Sequence, residues 1–322
     1  MKIACFTFTR QGSLLAEKLA EDLGDPVELF TKEHYKAQLP RVFEEFQGII
    51  FISSTGIAVR LSAAFLQDKT CDPAIVVVDD LGRYAISLLS GHLGGANRLA
   101  EKIAGVLACQ PIVTTASDGR GIEAIDLFAQ RHGFIMESMQ DVKVLTGMMV
   151  DGKALKLLSE VQTSFNYPHC VDKMEDAEGC IYISSQTAFP CELPHCVLRP
   201  KNLAVGIGCR KGKSVNEILK ALEQVFARHY LSLKSIRLMA TIDVKKDEAG
   251  ILAACEMLGA ELRIFRADEI QQVQEQFAGS EFVESQVGVK AVSEPCAFLA
   301  GGDILVGKTA IDGITIAVAK LE

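Results

Sequence analysis

His92 is the residue of this sequence best suited to moving a proton. It lies in Ser90–Asn97, read as SGHLGGAN, and is the only side chain there that titrates near neutral pH. Gly91, Gly94 and Gly95 let the backbone approach a ligand closely, and Asn97 adds a carboxamide. An imidazole beside accessible backbone amides suits general acid–base chemistry on a group that develops negative charge. The same residues also make an ordinary strand-to-helix turn with a solvent-facing histidine. The company the loop keeps decides between the two.

Two further loops carry polar residues after apolar runs. Ser54–Arg60 (STGIAVR) offers Thr55, Gly56 and Arg60, and Thr114–Gly121 (TTASDGRG) offers Asp118 and Arg120. If all three loops lie at one edge of an open sheet, Arg60, His92 and Asp118 form an acid–base site there. Taken singly, each is a helix cap with a surface charge.

Gly206–Ser214 (GIGCRKGKS) brings Gly206, Gly208, Cys209, Arg210, Lys211 and Lys213 to a strand-to-helix junction. A phosphate loop needs four residues between its first glycine and GK[ST]. Gly206 to Gly212 encloses five and Gly208 to Gly212 three, so neither register fits. The basic cluster still suits carboxylates or phosphates at a helix start, or is a solvated turn. Cys209 beside Arg210 and Lys211 invites a lowered thiol pKa, but no base partner accompanies it. Thr241–Glu248 (TIDVKKDE) adds Asp243, Lys245 and Glu248 after another strand. His169, Cys170, Cys180, Cys191, His195 and Cys196 are spaced without a CxxC pair, so scattered thiols are preferred to a metal site. GxSxG, HExxH and GxGxxG are all absent.

The elements that must position these loops follow from hydrophobic period. Strands are expected at Lys2–Thr9, Val27–Phe30, Gly48–Ser53, Ile75–Asp79, Tyr84–Leu89 and Pro111–Ala116, with helices between them, including Ala96–Leu107. This alternation predicts an α/β domain over residues 1–138. Residues 139–200 read as a smaller middle region, with helices over Val142–Val150 and Lys153–Val161 and two short strands among Pro168, Pro190, Pro194 and Pro200. Over 201–322 the rhythm returns: strands Leu203–Gly208, Ser235–Thr241, Glu261–Phe265 and Gly313–Ala319, and helices that include Ser214–Arg228 and Val292–Ala300. The fold class is therefore α/β, two open, largely parallel domains joined by the middle region.

Composition narrows the function classes. With 322 residues, 49% of them hydrophobic, the chain has ample core for two or more domains. A net charge of −8 argues against a general nucleic-acid binder. The first apolar run is short and followed at once by Glu17, Lys18, Glu21 and Asp22, so no secretory leader is read, and no stretch is long enough for a membrane span. Ten cysteines without a compact framework suit reduced thiols, and the expected location is cytoplasmic.

In their order, STGIAVR (54–60), SGHLGGAN (90–97), GIGCRKG (206–212), TIDVKKDE (241–248) and VSEP (292–295) resemble the cobalt-precorrin-5A hydrolase family of anaerobic cobalamin biosynthesis. The resemblance spans both α/β domains and is weakest over 139–200. It implies an enzyme that opens a lactone on a cobalt-corrinoid with water and releases a two-carbon fragment as acetaldehyde. On that reading His92 is the general base or acid, and the Gly94 and Gly95 amides with Arg60 receive the oxyanion. Asn97 orients a polar group, and Asp118 holds His92 in one tautomer. Arg210, Lys211 and Lys213 take the substrate's carboxylates in a cleft between the domains. Thr55, Gly56, Gly91, Gly206, Gly208, Cys209, Asp243 and Glu248 complete the substrate site. The cobalt comes with the substrate, and no separate cofactor or metal is expected. The partner is this corrinoid small molecule, with no nucleic acid and no membrane; a homodimer and hand-over to other corrin-pathway enzymes are compatible with it. Three alternatives stand: a non-catalytic corrinoid carrier, a phosphate-loop nucleotide-dependent enzyme, and, within the family, a catalytic C-terminal domain with Asp243 or Glu248 as base.

Overall fold

A computed structural model describes the chain except residues 34, 69–70, 116–121, 191 and 322 and the side chains of 282 and 286. Two compact units divide it, Met1–Gln130 and Arg131–Glu322. Along the first run β1 (Ile3–Thr7), α1 (Arg10–Asp22), β2 (Val27–Phe30), α2 (Tyr35–Glu45), β3 (Gly48–Ile52) and α3 (Thr55–Ser62). Then come β4 (Ala74–Val78), β5 (Tyr84–Leu89), α4 (Ala96–Leu107), β6 (Gln110–Ile112) and α5 (Ile125–His132).

Six strands form one sheet in the order β2-β1-β3-β4-β5-β6. Residues of β1, β3 and β4 are buried throughout, which is why these runs are continuously apolar and not alternating. Ile3, Cys5, Ile50 and Val76 face Leu19 of α1 and Leu99 and Ile103 of α4. Ala4, Phe6, Phe51 and Val77 face Leu39 and Val42 of α2. Each such buried Leu, Ile or Phe contributes roughly 1.5–3 kcal/mol of burial.

One strand pairing reverses the expected geometry. β4 and β5 are antiparallel, with Val78 opposite Ala85 and Ile75 opposite Leu89, while β5 and β6 are parallel to each other. The Asp79–Tyr84 turn makes the reversal: the Asp79 carboxylate accepts the Arg83 and Tyr84 N–H groups at 2.6 and 2.8 Å, and Gly82 has φ +64°. The loops after β5 and β6 therefore lie at the edge where β3 and β4 begin. The loop after β3 lies at the opposite edge, a strand length of roughly 15 Å away.

The second unit opens with β7 (Ile135–Met136), α6 (Met139–Val150), β8 (Leu155–Ser159), β9 (Gly179–Ile183) and β10 (His195–Arg199). These strands form a sheet in the order β7-β10-β9-β8. The pairing of β7 with β10 draws residues 131–138 into this unit, so the division precedes the expected end at 138. The helix expected over Lys153–Val161 is instead the strand β8: Leu155, Leu157 and Leu158 pair with Gly179, Ile181 and Tyr182 of β9. A short apolar run does not distinguish the two periods, and pairing decides.

Next come β11 (Leu203–Cys209), α7 (Val215–Arg228), β12 (Ile236–Ile242), α8 (Ala249–Leu258), β13 (Glu261–Phe265), α9 (Ala267–Gln271), α10 (Glu281–Val287), α11 (Ser293–Leu299), β14 (Gly302–Ile311) and β15 (Ile314–Leu321). Their sheet has the order β13-β12-β11-β15-β14, with β11, β12 and β13 parallel and β14–β15 an antiparallel hairpin. Asp312 and Gly313 turn that hairpin with φ +48° and +79°, the left-handed pair a tight Asp-Gly turn requires. α11 lies on the sheet so closely that a Cβ at Gly206 would come within 1.8 Å of the Ser293 carbonyl oxygen.

Candidate functional site

The loop after β5 closes over a cavity of about 430 Å³. Ser87, Ser90, His92, Asn97, Thr114, Thr115 and Asp126 supply its polar lining. Every one of these residues belongs to the first unit.

Local geometry accounts for the glycines. The Ala96 and Asn97 N–H groups donate to the carbonyls of Ser90 and Gly91, both at 3.1 Å, folding the loop onto the start of α4. A Cβ at Gly91 would stand 2.6 Å from Asn97 Oδ1, and one at Gly94 2.5 Å from Ser90 Cβ. Gly95 caps α4 with φ +85°. The three glycines therefore serve a tight loop that leaves room for a carboxamide.

Asn97 links the strands beneath. Ser87 Oγ donates to Asn97 Oδ1 at 2.6 Å, and Asn97 Nδ2 donates to Thr115 Oγ1 at 2.9 Å. Because Thr115 accepts from Asn97, its own hydroxyl hydrogen can be directed to the cavity. His92 Nδ1 lies 3.7 Å from Asp126 Oδ1, with side-chain exposures of 14% and 5%. Asp126 also accepts the Leu127 N–H at 3.0 Å in the first turn of α5.

The structure separates the three loops between two edges of the sheet. Gly91, His92 and Asn97 line the cavity, while Gly94 and Gly95 belong to the same loop but not to its lining. Arg60 does not join them: with Thr55 and Gly56 it belongs to α3, at the other edge of the sheet, and its Nη1 donates to the Gly56 carbonyl at 3.2 Å. The Gly95 N–H is no oxyanion donor either, since it donates to the His92 carbonyl at 2.9 Å. Asp118 and Arg120 lie outside the described residues; the carboxylate facing His92 is Asp126. That residue had a signal in the sequence, because it sits with Ile125 and Ala129 on the buried face of α5, where an acid is rare unless paired.

The C-terminal motifs converge on another cavity, of about 550 Å³, in the second unit. Gly208, Cys209, Arg210 and Lys211 line it, and Lys245 joins them. Lys213 is turned to Glu217 at 2.6 Å, and Ser214 and Glu217 make a reciprocal cap at the start of α7. These contacts hold the Glu217 carboxyl down at about 2, the Lys213 bond being the largest cause. Glu248 accepts Lys245 Nζ at 2.9 Å and the Gly212 N–H at 3.1 Å, and both contacts lower its pKa. Glu248 is thus committed to Lys245 and Gly212, while Glu217 takes the Ser214 N–H and hydroxyl that a phosphate loop would need. Asp243 begins the turn after β12, with Oδ1 buried and without a hydrogen-bond partner among the described residues. Gly206 serves the packing of α11. Burial pushes the Cys209 thiol up, against the expected lowering, despite Lys245 and Lys213. No cluster of three or more His, Cys, Asp or Glu suited to a metal occurs among the described residues.

Comparison with known proteins covers nearly the whole chain. Residues 37–118, 123–200 and 203–319 match the family models "Cobalamin synthesis G N-terminal", "Cobalamin biosynthesis central region" and "Cobalamin synthesis G C-terminus". A cobalt-precorrin-5A hydrolase of Priestia megaterium is 36% identical over 308 residues, covering 88% of this chain and 81% of that one. Another, from Salmonella typhimurium strain LT2, is 31% identical over 339 residues, covering 98% and 96%. A solved cobalamin biosynthesis protein G homolog of Sulfolobus solfataricus is 21% identical with TM-score 0.43, covering 100% of this chain and 97% of that one.

Proposed function

The chain belongs to the cobalamin synthesis G family and is a cobalt-precorrin-5A hydrolase, and we propose that the cavity of its first unit activates the hydrolytic water through His92. The observation that carries this assignment is the opposition of His92 Nδ1 and Asp126 Oδ1 at 3.7 Å within a polar cavity. A carboxylate facing Nδ1 orients the ring and favours the tautomer whose Nε2 accepts a proton.

Water adds to the lactone carbonyl carbon as His92 Nε2 takes its proton. The tetrahedral oxyanion receives the Thr115 hydroxyl, held in place by the Asn97 carboxamide. The carbon–oxygen bond then breaks, leaving a carboxylic acid and a freed alkoxide. Collapse of that alkoxide to a carbonyl breaks the carbon–carbon bond to the macrocycle and releases acetaldehyde, while the imidazolium returns its proton to the ring fragment. Asp126 stabilises the imidazolium between these steps. The cobalt travels with the substrate as its cargo, and no step here requires another cofactor.

Among the described residues no helix is long and apolar enough to cross a membrane. The described cysteines other than Cys180 are free thiols, which supports a reducing, cytoplasmic setting. Acetaldehyde release from cobalt-precorrin-5A by the purified chain, without added nucleotide, tests the proposal. One acetaldehyde per substrate is expected; binding without release would make the protein a carrier.

A further inference from the structure

The cavity of the C-terminal sheet has no role in the hydrolytic steps, yet it is the larger of the two described. Four stretches distant in sequence build it. The segment after β11 supplies Arg210 and Lys211, the turn after β12 supplies Lys245, the β14–β15 hairpin supplies Lys308, and Val283, Val287 and Val292 form an apolar wall.

The cations are distinguished by what they do not touch. Lys213 and Lys245 are paired with Glu217 and Glu248. Arg210 and Lys308 are exposed and make no ion pair among the described residues, and Lys211, also exposed, lies near enough to Glu248 to lower its pKa without bonding to it. Arg210 is also held in position. Its N–H donates to the Gly313 carbonyl at 3.0 Å, and its Cδ lies 3.0 Å from where a Cβ on Gly313 would stand. The stem thus lies across the Asp312–Gly313 turn, and a glycine there leaves the space for it.

Ligand chemistry follows from the combination. A free phosphate or small dicarboxylate would use the cations and leave the valine wall wet. A hydrocarbon would use the wall and leave the cations idle. A flat apolar body fringed by several carboxylates uses both, and a cavity of this volume falls within the range of about 300–1,000 Å³ usual for small-molecule sites.

We infer that this cavity grips the carboxylate-fringed edge of the macrocycle that hydrolysis leaves unchanged, and so holds substrate and product alike. The inference rests on the corrinoid reading above, but not on where the lactone is opened. No carboxylate is among the described residues that line it, and nearby Glu248 is committed to Lys245 and Gly212. The contacts it offers are therefore made equally before and after the reaction, which lowers KM without raising kcat.

Equilibrium dialysis of the full-length protein against cobyrinic acid, a cobalt corrin with free acetate and propionate groups, tests this by its visible absorbance. Lys308→Glu and the double variant Arg210→Ala/Lys308→Ala should weaken cobyrinic acid roughly 5- to 10-fold, allowing about 2- to 5-fold per exposed charge. They should raise the substrate KM by the same factor. Lys213→Ala, outside the cavity, should bind as wild type, and an unchanged thermal midpoint excludes misfolding. Cobyrinic acid bound equally by wild type and Lys308→Glu would overturn the inference, as would a fall in kcat with KM unmoved. Acetaldehyde release with dialysis unaffected by the variants leaves the hydrolase and removes the grip site. Dialysis sensitive to them without acetaldehyde does the opposite.

Discussion

His92 Nδ1 and Asp126 Oδ1 face each other at 3.7 Å, brought together from the loop after β5 and the first turn of α5. Both side chains are largely withdrawn from solvent, so the carboxylate's influence on the imidazole is little screened. Asp126→Asn preserves the shape and removes the charge. It should lower kcat roughly 10- to 100-fold with KM nearly unchanged, a loss within what one acid–base group contributes. Steady-state acetaldehyde release, with circular dichroism as the folding control, checks it.

Gly91→Ala tests why the loop is rich in glycine. The added Cβ would stand 2.6 Å from Asn97 Oδ1 and displace the carboxamide from Ser87 and Thr115. A destabilisation of about 1–3 kcal/mol is expected for such overpacking. Activity should fall as far as in Asn97→Ala. An alanine variant with wild-type turnover would show that the Ser87–Asn97–Thr115 chain has no part in the chemistry.

Stability of the second unit should depend on two carboxylates. Desolvation raises the pKa of Glu137, but Lys234 and the buried Arg199 outweigh it, and the net shift is downward from 4.5. Glu160 is likewise lowered on balance: desolvation raises it, and hydrogen bonds from Ser184 and Ser185, helped by Lys320, prevail. A folded-state pKa below the unfolded value gives stability that is complete above about pH 4.5 and is lost as pH falls through the lowered value. Thermal melts from pH 7 to pH 3 should show this loss. Glu137→Gln and Glu160→Gln should start less stable and lose less on acidification.

The Asp312–Gly313 turn should be sensitive to a single methyl group. Gly313 has φ +79° and abuts the Arg210 stem, so Gly313→Ala should cost about 1 kcal/mol in backbone strain. It should also weaken cobyrinic acid by displacing Arg210. Chemical denaturation and dialysis of the same preparation measure the two effects together.

How much of this was legible in the sequence differs from element to element. The buried strands at 3–7, 48–52 and 74–78 were plain, because runs such as GIIFI and AIVVV have only one use in an α/β sheet. The α4 stripe of Leu99 and Ile103 was equally plain. The direction of β5 was written there too. DDLGR is too short to carry a crossover between parallel strands, which needs a dozen residues or more, and its Asp and Gly mark a hairpin. Placing all three loops at one edge requires β5 to run parallel to β3, and its reversal separates the Arg60 loop from that of His92. Asp126 carried a weaker signal: an acid among the apolar residues of α5 marks a paired carboxylate, but its partner His92 is set by the sheet and not by local pattern. The β14–β15 hairpin, which brings Lys308 to the second cavity, had a signal in Asp312–Gly313. No local pattern could place Lys308 beside Arg210, because sheet order makes that neighbourhood.

The most direct test of the central claim is a single-turnover experiment with His92→Ala on cobalt-precorrin-5A, following acetaldehyde and bound corrinoid together. The His92 assignment predicts corrinoid bound as by wild type and acetaldehyde formation slowed by about 10²–10⁴. Acetaldehyde formed by the variant at the wild-type rate would contradict it and remove the first-unit cavity from the reaction.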